Sequence, residues 1–312
     1  MPCKRRDFLR LGAALTAGVI TETVTSRRGA AGTLTPLQVA YAGSMGSVMN
    51  GPLHRAAAVS LQTALQGRAG GAYGLAHLIT GGSIRPDVFI SVTPGPMDAV
   101  LKAGKAHKAY PIARTEMVIA YSPRSRFAPL LANANRPGAE PWWKILETRG
   151  LRFGRTNPLT DPQGINILFM MKLAARYYHQ PDLERRILGP AINSHQIFAE
   201  PQVMARLQAG QLDATSAYKI QPRPFGLPYL SLPQAINLGD ANLDTEYRQV
   251  SVTLNGKAHH PAPLVFYAAV LNGSAHAELA ERFVTWLRGS EAQAILRRYD
   301  YDAPGTTPAL TV

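Results

Sequence analysis

The sequence has very little cysteine, since Cys3 is the only one among 312 residues. A single thiol excludes a disulfide framework and an iron–sulfur cluster within the chain, because both need several cysteines. Cys3 also precedes the short apolar segment 11–20, whereas the acceptor cysteine of a lipoprotein follows such a segment. We therefore expect neither an internal cross-link nor a lipid anchor.

Long hydrophobic runs are also missing. The one candidate, residues 11–20, is about half as long as the roughly 20 residues that a membrane-spanning helix needs. It follows Arg5-Arg6-Asp7-Phe8-Leu9, and this order resembles a twin-arginine export signal, with a loose small-residue cleavage pattern at 29–31. A basic helix start on the folded protein is the alternative. We expect residues 1–31 to be an export signal and the mature chain to be periplasmic.

Acidic residues are scarce relative to basic ones. The chain has 33 Lys and Arg against 20 Asp and Glu, and after residue 31 the numbers are 27 and 18. Such a surplus favours anionic partners. The basic residues are scattered singly, without the interleaved aromatic residues of a nucleic-acid surface, so we expect no nucleic-acid binding. A small inorganic anion, or simply a solvated basic surface, fits better.

From residue 36 onward the pattern alternates short apolar strands with amphipathic helices, which is typical of an α/β fold with mixed, mainly parallel sheets flanked by helices. Strands are expected at 37–42, 87–91, 117–121, 152–154, 227–230, 247–254 and 264–271. Helices are expected from 43 towards 65 and at 74–79, 97–103, 142–146, 164–178, 202–208 and 276–299. The last strand and helix mirror the N-terminal units, which predicts two lobes: 32–118 with 264–312, and 119–263.

Three segments lead from a strand into a helix, at 42–46, 91–95 and 160–164. Ligands of open α/β sheets bind at such places, where free N–H groups at helix N-termini attract anions without a formal positive charge. Each segment alone fits an ordinary helix cap. Three of them in one fold favour an anion site.

Other kinds of site find little support. The Gly-rich segment 43–47 lacks the Gly-Lys-Ser/Thr ending of a phosphate loop and the third glycine of a dinucleotide fingerprint. Ser44, His54 and Asp161 have no spacing that indicates a catalytic triad. His259-His260 has neither an i, i+4 partner nor a nearby carboxylate of the kind that metal sites use.

Several motifs together resemble the tungstate/molybdate-binding receptors of ABC importers. They are Ala40-Tyr41-Ala42-Gly43-Ser44, the segment 154–164 with its Asp-Pro-x-Gly, 209–213, Leu232-Pro233-Gln234-Ala235-Ile236-Asn237-Leu238-Gly239-Asp240, and 250–254. They occur in the family's order over almost the whole mature chain. The resemblance implies a two-lobed periplasmic-binding-protein fold of the second type, with the oxyanion in the cleft. It also implies a monomeric binding protein, not an enzyme, that has an ABC permease as partner and no cofactor beyond its ligand, molybdate or tungstate.

The resemblance also implies which residues bind the ligand. Ser44 matches the first-loop serine, and Asp161 matches the acidic residue of the Asp-Pro segment. The full expected set is Ser44, Ala72, Tyr73, Ser91, Asp161, Gln163, Ser216 and Tyr218. Asp161 would be a metal ligand only if the metal of the oxyanion is coordinated directly, and otherwise it would cap its helix and face away.

One position departs from the family. Archaeal receptors carry a glutamate before the tyrosine-lysine pair, which with the aspartate completes a six-coordinate shell, and here that position is Ala217. The sequence therefore favours a tetrahedral oxyanion held by hydrogen bonds. Sulfate or phosphate is the alternative ligand, and a secreted enzyme on the same fold is the alternative from another functional class.

Overall fold

The computed structural model of the chain describes residues 34–312. The expected export signal, residues 1–31, lies outside the described residues. Within them, no helix combines the length and the hydropathy needed to cross a bilayer.

Twelve strands and thirteen α-helices make up the described part. The strands are β1 Thr35–Ala42, β2 Thr63–Gly70, β3 Val88–Val92, β4 Lys108–Arg114, β5 Met117–Tyr121, β6 Phe153–Gly154, β7 Ala214–Tyr218, β8 Tyr229–Ser231, β9 Val252–Leu254, β10 Lys257–His259, β11 Val265–Val270 and β12 Leu310–Thr311. The helices are α1 Gly46–Val48, α2 His54–Ser60, α3 Ala72–Thr80, α4 Pro94–Lys102, α5 Ala128–Asn133, α6 Trp142–Leu146, α7 Pro162–Tyr177, α8 Leu183–Leu188, α9 Glu200–Gln208, α10 Gln234–Asn237, α11 Asp244–Tyr247, α12 Ala277–Arg288 and α13 Ser290–Arg298. A 3-10 turn, Gly43–Met45, precedes α1, and a π-helical turn, Met49–Leu53, joins α1 to α2.

The strands form two main sheets. The larger has the order β12-β4-β11-β3-β1-β2, the smaller has the order β6-β7-β5-β8, and β9 and β10 form a separate hairpin. β1 pairs in parallel with β2 and β3, and β6 with β7, whereas the other pairs are antiparallel. The predicted mixed α/β architecture is confirmed, and its sheets hold more antiparallel pairs than the alternating pattern indicated.

The larger sheet takes its strands from both ends of the described chain, and the smaller sheet takes its strands from residues 117–231. All residues of β3 and of β5 are buried. Continuous apolar runs of this kind belong to strands covered on both faces. The lobe boundaries expected near residues 118 and 263 stay a prediction.

The first predicted helix is too long at its C-terminal end. It stops at Ser60, Gln62 takes a positive φ of 54°, and residues 63–70 form β2 alongside β1. Glycine is needed within this strand, because a Cβ on Gly67 would lie 2.7 Å from the Tyr41 hydroxyl. This glycine-containing segment is therefore an edge strand that leaves room for an aromatic neighbour.

Two further predictions differ from the structure. The long helix expected at 276–299 is two helices, because Gly289 adopts an extended conformation between α12 and α13. The strand expected at 247–254 shrinks to β9, with α11 ending at Tyr247. At Gly289 the apolar periodicity continues across a break that one residue's backbone makes.

Candidate functional site

Four helical N-termini meet between the two sheets. They are the 3-10 turn at Gly43, α3 at Ala72, α7 at Pro162 and α9 at Glu200. The Gly74 N–H donates to the Thr160 carbonyl at 3.2 Å, so α3 touches the loop before α7 directly. A Cβ on Gly71 would lie 2.5 Å from that same carbonyl oxygen, so only glycine allows the two segments to approach this closely.

Two neighbouring cavities lie at this meeting point. The first, of about 500 Å³, is lined by Gly43, Ser44 and Glu200 among others, and the second, of about 430 Å³, by Gly71, Thr156, Asp161 and again Glu200. Glu200 therefore borders both cavities. Among the described residues that line them there is no lysine or arginine.

Buried side-chain oxygen atoms without a hydrogen-bond partner gather here. They are Ser44 Oγ, Thr156 Oγ1, Asp161 Oδ2, Gln163 Oε1, Glu200 Oε2 and Ser216 Oγ. Folded proteins normally pair such atoms, since each unpaired one costs about 1–3 kcal/mol. A concentration of unpaired oxygens at converging helix N-termini indicates a ligand site.

Asp161 has two roles that the sequence presented as alternatives. Its Oδ1 accepts the Gln163 N–H at 3.0 Å and caps α7, while its Oδ2 has no partner. Burial raises the pKa of this carboxyl to about 6. The hydrogen bond from the Gln163 N–H acts in the opposite direction, as does the nearby Thr156 hydroxyl, which does not reach hydrogen-bonding geometry. The residue therefore caps its helix and still offers one oxygen to the cavity.

Glu200, which sequence reasoning missed, is the second carboxylate of the site. Burial and the charge of Asp161 raise its pKa well above the usual value, and the backbone N–H groups of Ser44 and Gly43 partly offset this rise. A Cβ on Gly43 would lie 2.6 Å from Glu200 Cδ, so the glycine makes room for the carboxylate. An acidic residue before proline in the first turn of α9 was the only available signal, and it equally fits an ordinary helix start.

β7 brings three of the expected residues together. Gln163 Nε2 donates to the Ser216 carbonyl at 2.6 Å, and the Tyr218 hydroxyl accepts from Asn166 Nδ2 at 3.1 Å. Burial and then the charge of Asp161 raise the pKa of Tyr218 well above its usual value, so its hydroxyl stays protonated and can donate. Ala217 lies on the opposite face of β7, in an apolar cluster with Val203 and Met204 of α9.

The other expected residues are placed differently. Ala72 begins α3 and is buried, so it can offer only its backbone. Tyr73 is partly buried, with its hydroxyl against Gly95. Ser91 donates to the Thr93 carbonyl at 3.2 Å and is not among the residues that line either cavity. The contribution of the loop 91–95 to binding stays a prediction.

The donors and acceptors suit a small anion with several oxygens. The free hydroxyls of Ser44, Thr156 and Ser216 can donate, and within residues 34–312 no three His, Cys, Asp or Glu side chains gather to hold a metal ion.

Residues 37–302 match the family model described as bacterial extracellular solute-binding protein. The chain belongs to that family.

Named relatives add detail. The chain is 29% identical over 212 residues to the molybdate/tungstate-binding protein WtpA of Pyrococcus abyssi, covering 61% of this chain and 60% of the relative. The aligned part thus spans about 60% of the length of this curated relative and 58% of a second, from Thermococcus kodakarensis.

Solved structures establish the fold. The periplasmic molybdate-binding protein of Azotobacter vinelandii is similar with a TM-score of 0.57 and 18% identity, covering 85% of this chain and 98% of that one. The sulfate-binding protein SubI of Mycobacterium tuberculosis gives a TM-score of 0.61 at 11% identity, covering 87% and 88%. The predicted two-lobed periplasmic-binding-protein fold is confirmed, and the assignment of individual ligand-binding residues stays a prediction.

Proposed function

We propose that this protein captures molybdate or tungstate in the periplasm and delivers it to an ABC permease. The observation that carries the proposal is the cluster of six unpartnered buried oxygens where four helical N-termini meet, with no lysine or arginine among the described cavity-lining residues. The similarity to WtpA supports the choice of ligand. The donors expected to hold the anion are the hydroxyl groups of Ser44, Ser216 and Tyr218.

Binding without formal positive charge relies on many weak donors. Hydrogen bonds from neutral N–H and O–H groups to a charged oxygen are worth about 1.5–3 kcal/mol each, and they strengthen where water is excluded. The contact between α3 and the Thr160 loop lies directly beside the site. Molybdate and tungstate have nearly equal size and charge, so the same donors serve both.

The cellular setting is part of the proposal. The arginine pair Arg5-Arg6 supports export through a twin-arginine pathway, and residues 1–31 would be removed. The mature protein would act as a monomer that meets its permease after closing on the anion. Binding without chemical conversion is the expected outcome.

Calorimetric titration of the anion-free protein with molybdate, tungstate, sulfate and phosphate tests the proposal. We expect molybdate and tungstate to bind at least about a hundredfold more tightly than the other two, a difference of about 2.7 kcal/mol. Tightest binding of sulfate or phosphate would assign the protein to a different oxyanion. Turnover of a substrate, without stabilisation by any of the four anions, would point to the enzyme alternative.

A further inference from the structure

The parts of the chain that carry the smaller and the larger sheet contact each other on two sides of the cavities. Beside the second cavity the contact is a backbone hydrogen bond, from the Gly74 N–H to the Thr160 carbonyl. Beside the first cavity it consists of charged side chains, where residues 219–223, which follow β7, meet residues 298–302, which follow α13. Salt weakens ion pairs that touch solvent and has little effect on a bond between two peptide groups.

Two ion pairs make up the charged contact. Lys219 Nζ lies 2.9 Å from Asp302 Oδ2, and Arg223 Nη1 lies 2.9 Å from Asp300 Oδ1. Arg223 Nη1 also donates to the Arg298 carbonyl at 3.2 Å. The side chains of Lys219 and Asp300 are 20% and 30% exposed, so each pair has one partner that is largely shielded from solvent. Such pairs are screened less than fully exposed ones.

Each side of the charged contact is fixed to its own sheet. The Lys219 N–H donates to the carbonyl of Glu116, the residue before β5, at 2.9 Å. Asp302 exchanges two backbone hydrogen bonds with Arg114 of β4, at 2.8 and 3.0 Å. The ion pairs therefore join the two sheets to each other and do not stabilise either sheet alone.

The segment that carries Lys219 and Arg223 also forms a wall of the first cavity. Its residues Gln221, Pro224 and Phe225 line that cavity together with Ser44. Separation of the two sheets would move this wall away from Ser44 and open the cavity to solvent.

We propose that the ion pairs Lys219–Asp302 and Arg223–Asp300 form a latch that slows the release of the bound anion by holding the two sheets together. This rests on the function proposed above. Lys219 and Arg223 line neither cavity, so they are positioning residues that act on how long the site stays closed. One partly exposed pair changes an equilibrium constant by up to about fivefold, and two pairs together by about tenfold.

The test compares the latch variant Lys219→Gln/Arg223→Gln with the wild type. Its control is Arg185→Gln/Arg248→Gln, which loses the same two positive charges, because each of these arginines pairs with a carboxylate only three or four residues earlier in the chain. Stopped-flow tryptophan fluorescence measures the release of tungstate. At low salt we expect release from the latch variant to be about tenfold faster than from the control, with association rates that agree within about twofold.

Salt and charge exchange show whether the effect is electrostatic. Raising NaCl from about 0.05 to about 1 M should accelerate release several-fold in the wild type and the control, and less than about twofold in the latch variant. Exchanging one pair, in Arg223→Asp/Asp300→Arg, should bring release back to within about threefold of the wild type. Equal release rates in the latch variant and its control would overturn the inference, and so would an equal salt dependence in all three proteins.

Small-angle X-ray scattering of the anion-free proteins separates this inference from the proposed function. We expect a larger radius of gyration for the latch variant than for the wild type and the control at low salt, because its sheets separate more often. If the wild type binds neither molybdate nor tungstate, the proposed function fails, and the larger radius still supports the latch. If tungstate binds tightly and the radius and the release rate of the latch variant equal those of the control, the function stands and the latch fails.

Discussion

Two buried acidic regions of this molecule make opposite use of their carboxylates. Asp213, at the start of β7, accepts hydrogen bonds from Arg152 N at 2.8 Å, Arg152 Nε at 2.9 Å, Arg152 Nη2 at 3.0 Å and Ser125 Oγ at 2.8 Å. Asp161 and Glu200, at the N-termini of α7 and α9, each keep one oxygen without any partner. Asp213 is 4% exposed and Asp161 5%, so solvent exposure does not explain why one has a full set of partners and the other does not.

The number of hydrogen-bond donors around each carboxylate explains the difference. Burial raises the pKa of Asp213, but the hydrogen bonds from Arg152 and Ser125 outweigh that effect and hold the pKa below its usual value. Burial raises the pKa of Asp161 to about 6, and the single hydrogen bond from the Gln163 N–H does not compensate. A carboxylate with a full set of donors stabilises the fold, whereas one left without them destabilises the anion-free protein and is available to a ligand.

Removing the charge from Asp213 should have the largest effect on stability. Asp213→Asn gives up charge-assisted bonds to Arg152, and we expect the free energy of unfolding to fall by about 3 kcal/mol in urea titrations. The matched control is Asp182→Asn. Asp182 forms an ion pair with Arg185, and the two side chains are 65% and 79% exposed, respectively. This control should cause no measurable loss. An equal response of the two variants would show that the Asp213 network adds nothing beyond a surface pair.

The pH dependence of stability should show the two kinds of acid in separate windows. Because the folded pKa of Asp161 is raised to about 6, the unfolded chain loses this proton first as the pH rises. The free energy of unfolding of the anion-free protein should therefore fall between about pH 4 and pH 7, by about 3 kcal/mol from this group. Asp213, with a lowered folded pKa, contributes stability above pH 4 that is lost only in more acidic solution.

Urea titrations in chloride buffers at several pH values check this pH dependence of the free energy of unfolding. Asp161→Asn is the informative variant, because asparagine also caps helices and so keeps the bond to the Gln163 N–H. Its stability should change less between pH 4 and pH 7 than that of the wild type. A wild-type stability that rises over this range would contradict the raised pKa.

The sequence predicted the fold well because apolar periodicity is a local property. β5 and α6 begin and end at the residues expected, and α7 begins two residues early because Asp161 caps it and Pro162 fits its first turn. The errors lie where one backbone angle ends an element, at Gln62 and Gly289. Such angles depend on neighbours that are distant in sequence.

The site was harder to predict because it depends on which helix N-termini meet. Ser44, Asp161, Gln163, Ser216 and Tyr218 could be named from motifs, and the structure brings them together. Glu200 could not, since nothing in Glu200-Pro201 distinguishes a carboxylate that faces a cavity from one that faces solvent. Its position follows from the packing of α9 over β7 and from the missing side chain of Gly43.

Ser44→Ala should have a moderate effect, on binding alone. The hydroxyl is buried without a partner and makes no side-chain cap, so its loss leaves the fold intact. We expect oxyanion affinity to fall by about 1.5 kcal/mol, or roughly tenfold, with no decrease in the free energy of unfolding. Calorimetry and urea titration measure the two quantities. A loss of stability without a loss of affinity would place the hydroxyl outside the site.

Ser91→Ala should have the smallest effect, and it tests how far the site extends. Ser91 was expected to bind the ligand because its strand ends at the cleft, yet its hydroxyl already donates to the Thr93 carbonyl and borders neither cavity. Thr93 holds a positive φ of 64°, so this bond supports a strained turn instead of a ligand. We expect oxyanion affinity to change less than about twofold, while the free energy of unfolding falls by about 1 kcal/mol through the lost bond. A tenfold loss of affinity would return the loop 91–95 to the site and would mean that the lobes close further around the anion than they do here.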